Sequence, residues 1–313
     1  MKISIIIPVH NGAQTIARCV ESLGDHDPER LEVLLIENNS SDHSWEVCQT
    51  LANTYPTVTC LQTTQIGVSA ARNMGLQIAS GQVIGFLDAD DTVDADMLDY
   101  VRDTFSNHAD CDMLGFGFAK VFPDGRVKLY HLRTQKKLSF SQMIPYVFCN
   151  RHVSGYIWNK FWRAETLTGV MFREDLTHSE DTHFVINSLV HNPQKRAYID
   201  TKPLYLYTQG ENSATAQLEK MFSEDGRLKL IEAVYEILED FSLKGYYRML
   251  AKRLIFAMAA SQYLRFRKEL LPVQHWALTK EMKKNVLWYG ITFFVAPMET
   301  AKCFLRLILS RVR

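Results

Sequence analysis

Three carboxylates crowd into four positions directly after an apolar run in IGFLDADDTV, residues 84–93. Residues 84–87 are typical of the end of a buried strand, and Asp88, Asp90 and Asp91 follow at once. Side chains alternate along a strand, so Asp88 and Asp90 can point to one side and repel unless a proton or a cation lies between them. Oxygen ligands suit hard divalent ions such as Mg2+ and Mn2+, which usually bind substrate phosphates as well. The segment therefore predicts a metal-assisted phosphate site.

The same segment has a second interpretation. Asp90, Asp91 and Asp94 would also be favourable at the positive end of a helix over residues 93–105. From these residues alone, both interpretations stay open.

The elements that would position these carboxylates alternate along the first 90 residues. The predicted strands are 3–9, 31–37, 58–62 and 81–90, and the predicted helices are 12–24, 41–55 and 67–80. This alternation implies right-handed crossovers and a parallel α/β sheet covered by helices. Ligands of such sheets bind at the carboxyl ends of the strands, and Asn11, Asp88 and Asp90 follow such ends.

The composition is that of a soluble globular protein. Of the 313 residues, 47% are hydrophobic and 22% are charged, and the formal net charge is zero. A zero net charge gives no indication of a nucleic-acid partner. The charge is unevenly distributed, because residues 1–100 carry a net −10 and residues 241–313 a net +11. The basic end favours contact with something anionic.

Cysteine spacing and hydropathy predict the compartment. The six cysteines lie far apart without a CxxC pair, which indicates buried thiols in a reducing compartment rather than disulfides or a zinc site. The first twelve residues lack the long apolar region of a secretory signal, and no run of about 18 apolar residues predicts a membrane span. We therefore expect a cytoplasmic protein.

The pattern changes beyond residue 110. Residues 111–132 predict a hairpin that turns at 123–125, and residues 196–208 predict a pair of strands. From about residue 216 onward the sequence predicts helix.

Three segments occur in order and at close spacing: SIIIPVHNGAQTIARCVESL from residue 4, EVLLIENNSSD from 32 and GVSAARNMGLQIASGQVIGFLDADD from 67. Together they resemble the nucleotide-sugar half of family 2 glycosyltransferases, which have the GT-A fold, a Rossmann-like and mainly parallel sheet flanked by helices. The resemblance is strong over residues 1–120 and continues to about 215 through WNKFWRAETL, SEDTHF and PLYLYT. It implies an inverting transferase whose sugar nucleotide lies across the strand ends.

The resemblance also implies the domain organisation. A glycosyltransferase domain is expected at 1–215, with a nucleotide-sugar half at 1–110 and an acceptor half at 111–215. A C-terminal helical region follows at 216–313.

The resemblance implies that the nucleoside lies on the first strands. Pro8, Val9 and Asn11 match the first-strand loop beside the nucleoside. Glu37 matches an acidic position, usually Asp, that contacts the base, and Asn39 lies in the same turn.

The resemblance assigns the diphosphate to two further segments. Arg72 and Asn73 match the ARN element, and Arg72 is implied to lie near the nucleotide, although both residues could also merely tie down a helix. Asp88, Ala89 and Asp90 match the DxD motif, with Asp88 near the ribose and Asp90 as a ligand of the metal. Mn2+ or Mg2+ bound there would stabilise the negative charge that develops on the leaving phosphate.

The segment SEDTHF contains a late acidic pair. An acceptor hydroxyl has a pKa far above neutral and needs a base. The pair matches the family's, whose Asp usually acts as the base, so Asp181 is the predicted base and Glu180 the second candidate. The alternative, which does not exclude this role, is that the pair favours the start of a helix, where Ser179 and Asp181 are good capping residues.

The segment WNKFWRAETL contains the acceptor-site candidates. A sugar face stacks well on an aromatic ring and a lysine can neutralise phosphate, so Trp158 and Lys160 are predicted to bind the acceptor. Core packing under a helix fits Trp162 at least as well. At Thr208 the family often has Arg, and a phosphate contact from this loop is therefore not carried over.

The basic C-terminal end has two interpretations. Residues 285–297 are mostly apolar but too short to span a bilayer, and residues 299–313 mix apolar and basic types. They could hold a peripheral enzyme to anionic lipid on the inner face of the membrane, or form a helix docked on the core.

The resemblance thus implies an inverting, metal-dependent hexosyl- or N-acetylhexosaminyltransferase. It would move a sugar from a nucleotide donor, expected to be a UDP-sugar, to a hydroxyl of a growing bacterial surface glycan. A lipid-linked acceptor would explain the basic end. The alternative is a catalytically silent or repurposed homologue that binds glycan or nucleotide. A nucleotidyltransferase would carry a Gly-rich, basic loop after its first strand, and PVHNGAQT is neither.

Overall fold

The structure is a computed structural model that describes residues 1–24, 26–149, 154–176, 178–208, 222, 228–266 and 270–291. The chain divides into two compact units, Met1–Gly210 and Glu211–Arg313. In their described parts, the first contains a large β-sheet and the second is mainly helical.

Ten strands form one sheet in the described part of the first unit. They are β1 (Ile3–Val9), β2 (Leu31–Glu37), β3 (Val58–Gln62), β4 (Val83–Phe86), β5 (Thr92–Val93), β6 (Met113–Val121), β7 (Val127–Tyr130), β8 (Lys136–Ser139), β9 (Lys160–Arg163) and β10 (Arg196–Thr208). The helices are α1 (Ile16–Glu21), α2 (Ser44–Thr54), α3 (Val68–Ile78), α4 (Met97–Asn107), α5 (Phe140–Cys149) and α6 (Glu180–His191), with a 3-10 helix at Ala164–Leu167.

The first half of the sheet is parallel and the second half is mixed. The order is β3-β2-β1-β4-β9-β6-β10-β5, with β7 beside β6 and β8 beside β10. β3, β2, β1 and β4 run in one direction. Almost every residue of β1 and β2 is buried, as expected for parallel strands covered on both faces. The predicted α/β class is confirmed, and β1, β2 and β3 coincide with the predicted strands.

Two antiparallel pairings bring later parts of the chain to the carboxyl end of β4. β9 runs antiparallel to β4 with Gly85 opposite Phe161, so the residues before Lys160 lie where Asp88 follows β4. β6 runs antiparallel to β9 and β10 runs parallel to β6, so the carboxyl end of β10 lies at the same edge. A Cβ on Gly85 would lie 2.4 Å from Cε1 of Phe161, and glycine therefore permits this close approach.

Aromatic side chains fill the core below this edge. Trp162 is fully buried and meets Phe86 edge to face at 6.1 Å between ring centroids. Phe184 also meets Phe86 edge to face at 5.6 Å and stacks on Phe172 at 4.0 Å. The interpretation of Trp162 as a core residue is therefore confirmed.

The helix-end interpretation of the carboxylate segment is wrong for Asp90 and Asp91, whereas Asp94 does lie at the start of α4, where its carbonyl accepts from the N–H of Met97 at 3.0 Å. β5 follows the carboxylates and pairs with β10, and α4 begins only at Met97. Asp90 and Asp91 consequently belong to a turn between two strands, beyond the reach of the α4 dipole, which falls off within the first turn.

The second half contains one confirmed prediction and one correction. The hairpin is confirmed, because β6 and β7 pair antiparallel and the N–H of Gly125 donates to the carbonyl of Phe122 at 2.9 Å. Residues 196–208 form the single strand β10 rather than a pair. Its register shifts around Pro203, which has no N–H to donate to a neighbouring strand.

The described part of the second unit contains α7 (Lys229–Asp240), α8 (Tyr246–Phe266) and α9 (Pro272–Ile291). The helical prediction holds for these residues. No helix in the described part of the chain is long and apolar enough to cross a membrane. Of the segments predicted to contact a membrane, residues 292–313 lie outside the described residues.

Candidate active site

Arg72 brings three of the predicted site carboxylates together. It lies on α3, and only 4% of its side chain is exposed. Nη1 donates to Oε1 of Glu180 at 2.9 Å and to Oδ1 of Asp181 at 2.8 Å, and Nη2 donates to Oδ1 of Asp88 at 3.1 Å. One guanidinium thus joins the end of β4 to the start of α6. We call these four residues the Arg72 cluster.

Burial and Arg72 act differently on the two carboxyls of the acidic pair at the start of α6. Burial raises the pKa of Asp181 well above its usual range, against the attraction of Arg72. The pKa of Glu180 is lowered. Burial alone would raise it, but Arg72 and a hydrogen bond with Asp181 favour the charged form. Asp181 therefore keeps its proton to a higher pH than Glu180 does. A carboxyl group with a raised pKa is suited to accept a proton near neutral pH.

Two structural alternatives concern these helices: the acidic pair could serve to start α6, and the ARN element could tie down α3. The contacts of both helices bear on them. Ser179 precedes α6 with φ at 59° and makes no side-chain cap bond, while both acidic side chains contact Arg72. It is Asn73, next to Arg72, that ties α3 down. Its Nδ2 donates to the carbonyl of Phe172 at 3.0 Å, and its Oδ1 accepts from the N–H of Phe172 at 2.8 Å.

Asp91 has a structural role that sequence reasoning did not assign. The residue is 1% exposed, and it accepts from the hydroxyl of Tyr205 at 2.6 Å and from the N–H of Thr208 at 2.7 Å. The same hydroxyl accepts from the N–H of Asp88 at 3.4 Å. Burial, followed by the charges of Asp88 and Asp90, raises the pKa of Asp91 to about 8. β10 thereby fixes the turn that carries Asp88 and Asp90.

Asp90 lies on the outer side of this turn. It is exposed, and its carbonyl accepts from Nη2 of Arg18 at 2.9 Å. Within the described residues, no group of three or more His, Cys, Asp or Glu side chains could hold a metal ion. Asp88 and Asp90 are a two-carboxylate donor set, which fits an ion that takes its remaining ligands from water and substrate phosphates.

The turns that follow β1 and β2 are joined to each other by hydrogen bonds. Asn11 and Asn39 both have left-handed backbone conformations, with φ at 51° and 54°, which asparagine tolerates better than most residues. Oδ1 of Asn11 accepts from the N–H of Ser41 at 2.8 Å, and the N–H of Asn11 donates to Oγ of Ser40 at 3.0 Å. Ala89 joins this region, because a Cβ on Gly12 would lie 3.5 Å from the Cβ of Ala89.

Glu37 stabilises the β2 turn from inside. The residue is 3% exposed, and its carboxylate accepts from the N–H of Ser40 at 2.6 Å and from Nε2 of Gln62 at 2.9 Å. These donors outweigh the effect of burial and keep its pKa below the usual range. Pro8 is half-buried on β1, and Val9 is fully buried with its carbonyl accepting from the N–H of Asn38 at 2.8 Å.

The predicted acceptor residues are mostly covered. Lys160 is fully buried, and Nζ donates to the carbonyl of Tyr156 at 2.5 Å and to Oδ1 of Asn159 at 2.8 Å. Burial lowers its pKa to about 7, against the charge of Asp181. Trp158 is 5% exposed and stacks on Tyr156 at 4.7 Å and on Tyr205 at 4.3 Å. Sequence reasoning missed Tyr156, which is 38% exposed.

A family model decides the classification. The model described as "Glycosyl transferase family 2" matches residues 4–187, which is more than half of the chain and includes all the predicted site residues. The chain belongs to glycosyl transferase family 2. The resemblance seen in the sequence is thereby confirmed.

Family 2 relatives extend the match. The uncharacterized glycosyltransferase EpsJ of Bacillus subtilis (strain 168) is 26% identical over 249 residues, 78% of this chain and 71% of EpsJ. The minor teichoic acid biosynthesis protein GgaA of the same organism is 29% identical over 217 residues, 67% of this chain. The match spans only 48% of GgaA.

Solved structures of glycosyltransferases share the fold. TarS 1-349 of S. aureus in complex with UDP-GlcNAc has a TM-score of 0.68 at 18% identity, covering 92% of this chain and 81% of that one. The mannosyltransferase PcManGT of Pyrobaculum calidifontis, in complex with GDP-Man and Mn2+, has a TM-score of 0.53 at 13% identity, covering 100% and 81%. The predicted GT-A fold is confirmed by the likeness to TarS.

The Arg72 cluster makes stability depend on pH in a specific direction. Arg72→Gln leaves the acidic side chains of the cluster facing one another without a positive charge, which raises the folded-state pKa of Glu180 and raises that of Asp181 further, and so destabilises the protein while these two groups are ionised. We expect a loss of about 3 kcal/mol at pH 8 and a much smaller one near pH 5, where these carboxyls begin to take up protons. Urea unfolding at both pH values measures the difference.

Two variants control this experiment. Arg72→Lys keeps the positive charge and should recover part of the stability at pH 8. Arg126→Gln removes an exposed arginine from its pair with Asp124 and should cost about 1 kcal/mol or less at both pH values. An equal loss for Arg72→Gln at pH 5 and pH 8 would mean that packing, not charge, is what Arg72 supplies.

Proposed function

We propose that this family 2 protein is an inverting glycosyltransferase that moves a sugar from a UDP-sugar to a hydroxyl of a surface glycan. The observation that carries the proposal is the Arg72 cluster. It holds Asp88, the first residue of the DxD motif, and the acidic pair of α6 on one guanidinium. A donor-side carboxylate and the candidate base are therefore neighbours, as one displacement step requires.

The turn after β4 is the proposed diphosphate site. Asp88 and Asp90 would hold a divalent cation such as Mn2+ or Mg2+, which supplies positive charge to the departing diphosphate. The turns after β1 and β2, with Pro8, Val9, Asn11, Glu37 and Asn39, would bind the nucleoside. Ala89 lies against the first of these turns. Arg72 lies behind Asp88 and sets the orientation of its carboxylate.

Asp181 is the proposed base. Ionised Asp181 would take the proton of the attacking hydroxyl, while the bond to the diphosphate breaks on the opposite face of the sugar and the anomeric configuration inverts. Its raised pKa gives it affinity for that proton, and the positive charge of Arg72 favours its return to the ionised form. Glu180 keeps the pair oriented through its bonds to Arg72 and Asp181.

The relatives support the choice of substrates. TarS has been solved with UDP-GlcNAc and with UDP, which favours a UDP-N-acetylhexosamine as the donor. GgaA is named for minor teichoic acid biosynthesis, which favours a bacterial cell-surface glycan as the acceptor. We propose that this acceptor is lipid-linked.

A lipid-linked acceptor calls for contact with the membrane surface, and α9 offers a suitable patch. Leu271, Val273 and Trp276 are exposed by 60%, 42% and 60% at its start. Nζ of Lys280 lies 4.6 Å from the centroid of the Trp276 ring, and Lys283 is also exposed. Apolar and aromatic side chains beside lysines suit the interface of an anionic bilayer.

The first prediction of the proposed function concerns donor binding. Titration of UDP into the full chain should give heat in MnCl2 and much less in EDTA, and Asp90→Ala should weaken binding in MnCl2 by at least about tenfold. Asp94→Ala removes a nearby exposed carboxylate and should bind like wild type. UDP binding that changes neither in EDTA nor in Asp90→Ala would refute the metal-assisted site. No UDP binding under any condition would favour a silent homologue.

Loss of the base is the second prediction. Asp181→Asn should lower the rate of UDP release from UDP-GlcNAc by about 10²- to 10⁴-fold and leave the Kd for UDP unchanged, because the variant loses proton acceptance but keeps the side-chain shape. Asp175→Asn, which removes an exposed carboxylate of the preceding loop, is the matched control. Unchanged turnover of Asp181→Asn would exclude Asp181 as the base.

Membrane contact is the third prediction. Sedimentation with phosphatidylglycerol-containing vesicles should capture the wild type, and the triple change of Leu271, Val273 and Trp276 to Ser should weaken capture by about tenfold or more. Val127→Ser with Leu129→Ser, a comparably exposed apolar pair on β7, should have no effect. Equal capture of wild type and triple variant would rule out this patch.

A further inference from the structure

Tyr156 is a partly exposed ring at the end of an aromatic stack. The residue is 38% exposed, and its ring stacks on Trp158 with 15° between the ring planes. Trp158 in turn stacks on Tyr205 with 21° between the planes, and both inner residues are buried. Tyr207 also stacks on Trp158, at 6.0 Å, and is half-buried, so Tyr156 is the most exposed of these four aromatic residues.

The position of Tyr156 follows from the strand directions. Tyr156 comes shortly before β9, which runs antiparallel to β4. The segment thus lies at the carboxyl end of β4, at the edge of the sheet where Asp88 lies. In the sheet order, β9 is on the side of β4 away from β1 and β2, so Tyr156 lies opposite the proposed nucleoside turns.

The segment also packs directly on the helix that carries the candidate base. A Cβ on Gly155 would lie 2.1 Å from Oγ1 and 2.8 Å from Cα of Thr182, so the two backbones touch. Thr182 follows Asp181 in the first turn of α6. The residue beside Tyr156 therefore contacts the residue beside Asp181.

The Tyr156 backbone is held in place from below. Nζ of the buried Lys160 donates to the Tyr156 carbonyl at 2.5 Å. The inner end of the stack is anchored as well, because the Tyr205 hydroxyl donates to Asp91 at 2.6 Å. An aromatic ring that is fixed at both its backbone and its stacked face is a preorganised surface, which loses little entropy when a ligand covers it.

We propose that Tyr156 is the stacking platform for a pyranose ring of the acceptor glycan, beside Asp181. This inference rests on the proposed function and names the class of its acceptor. A pyranose presents a flat face of C–H groups, which packs on an aromatic ring and buries apolar area on both sides. An acyclic polyol such as ribitol has no such face. The platform therefore selects an acceptor that ends in a cyclic sugar.

The test uses the full chain with UDP and Mn2+ and three probes: methyl β-D-glucopyranoside, the methyl β-glycoside of N-acetylglucosamine and ribitol. Saturation-transfer NMR should detect the ring protons of at least one methyl glycoside and none from ribitol. Tyr156→Ala and Tyr156→Leu should weaken glycoside binding by about tenfold, and Tyr156→Phe, which keeps the ring, should bind like wild type. Tyr246→Ala, at a 48% exposed tyrosine of the second unit, is the control.

Unchanged UDP binding in every variant reports that the variants are folded and that the donor site is intact. The platform is refuted if Tyr156→Leu binds the glycosides as wild type does, if ribitol binds as well as they do, or if UDP binds but neither glycoside does. Glycoside binding that depends on the Tyr156 ring without any UDP binding supports the platform and counts against the proposed donor.

Discussion

The active site depends on the burial of one guanidinium. Arginine stays charged at any pH a protein experiences, and Arg72 has only 4% of its side chain exposed. Its charge must therefore be compensated by acidic groups in contact with it, which are Asp88, Glu180 with its lowered pKa, and Asp181. These contacts join α3, the end of β4 and the start of α6. The proposed donor and base residues are thus held together by side chains of the protein itself.

The three carboxylates of the DADD turn differ in burial and in the groups that they contact. Asp91 is buried and binds β10, Asp88 faces Arg72, and Asp90 is exposed. Inside the protein, the third carboxyl group, that of Asp91, accepts hydrogen bonds from a hydroxyl and an N–H. The turn can therefore keep its remaining negative charge toward solvent. The same Tyr205 stacks on Trp158, so the proposed diphosphate and acceptor sites share one rigid connection.

The sequence was most informative where interactions are local. Apolar runs predicted β1 and β2 to the residue, because these parallel strands are buried on both faces. The prediction of β3 was equally exact, although only Val58 of that strand is buried. The ordered motifs identified the family and the side chains of the Arg72 cluster. Periodicity carries no information about pairing between distant residues. The bonds from Arg72 to Asp181 and from Tyr205 to Asp91 join positions 109 and 114 apart, and the role of Asp91 could not be predicted without them.

On the acceptor side, the tertiary packing corrects an assignment that was made from a sequence motif. Trp158 and Lys160 are residue types that suit a sugar and a phosphate, but both are buried, Trp158 against Tyr205 of β10 and Lys160 opposite Gly115 of β6. Tyr156 is two positions before Trp158 in the turn that precedes β9, and the near-parallel rings of the two residues stack on each other. The outermost ring of such a row is the one that solvent reaches. YIW in the sequence already contains this pattern, but only the tertiary packing determines which ring is outermost.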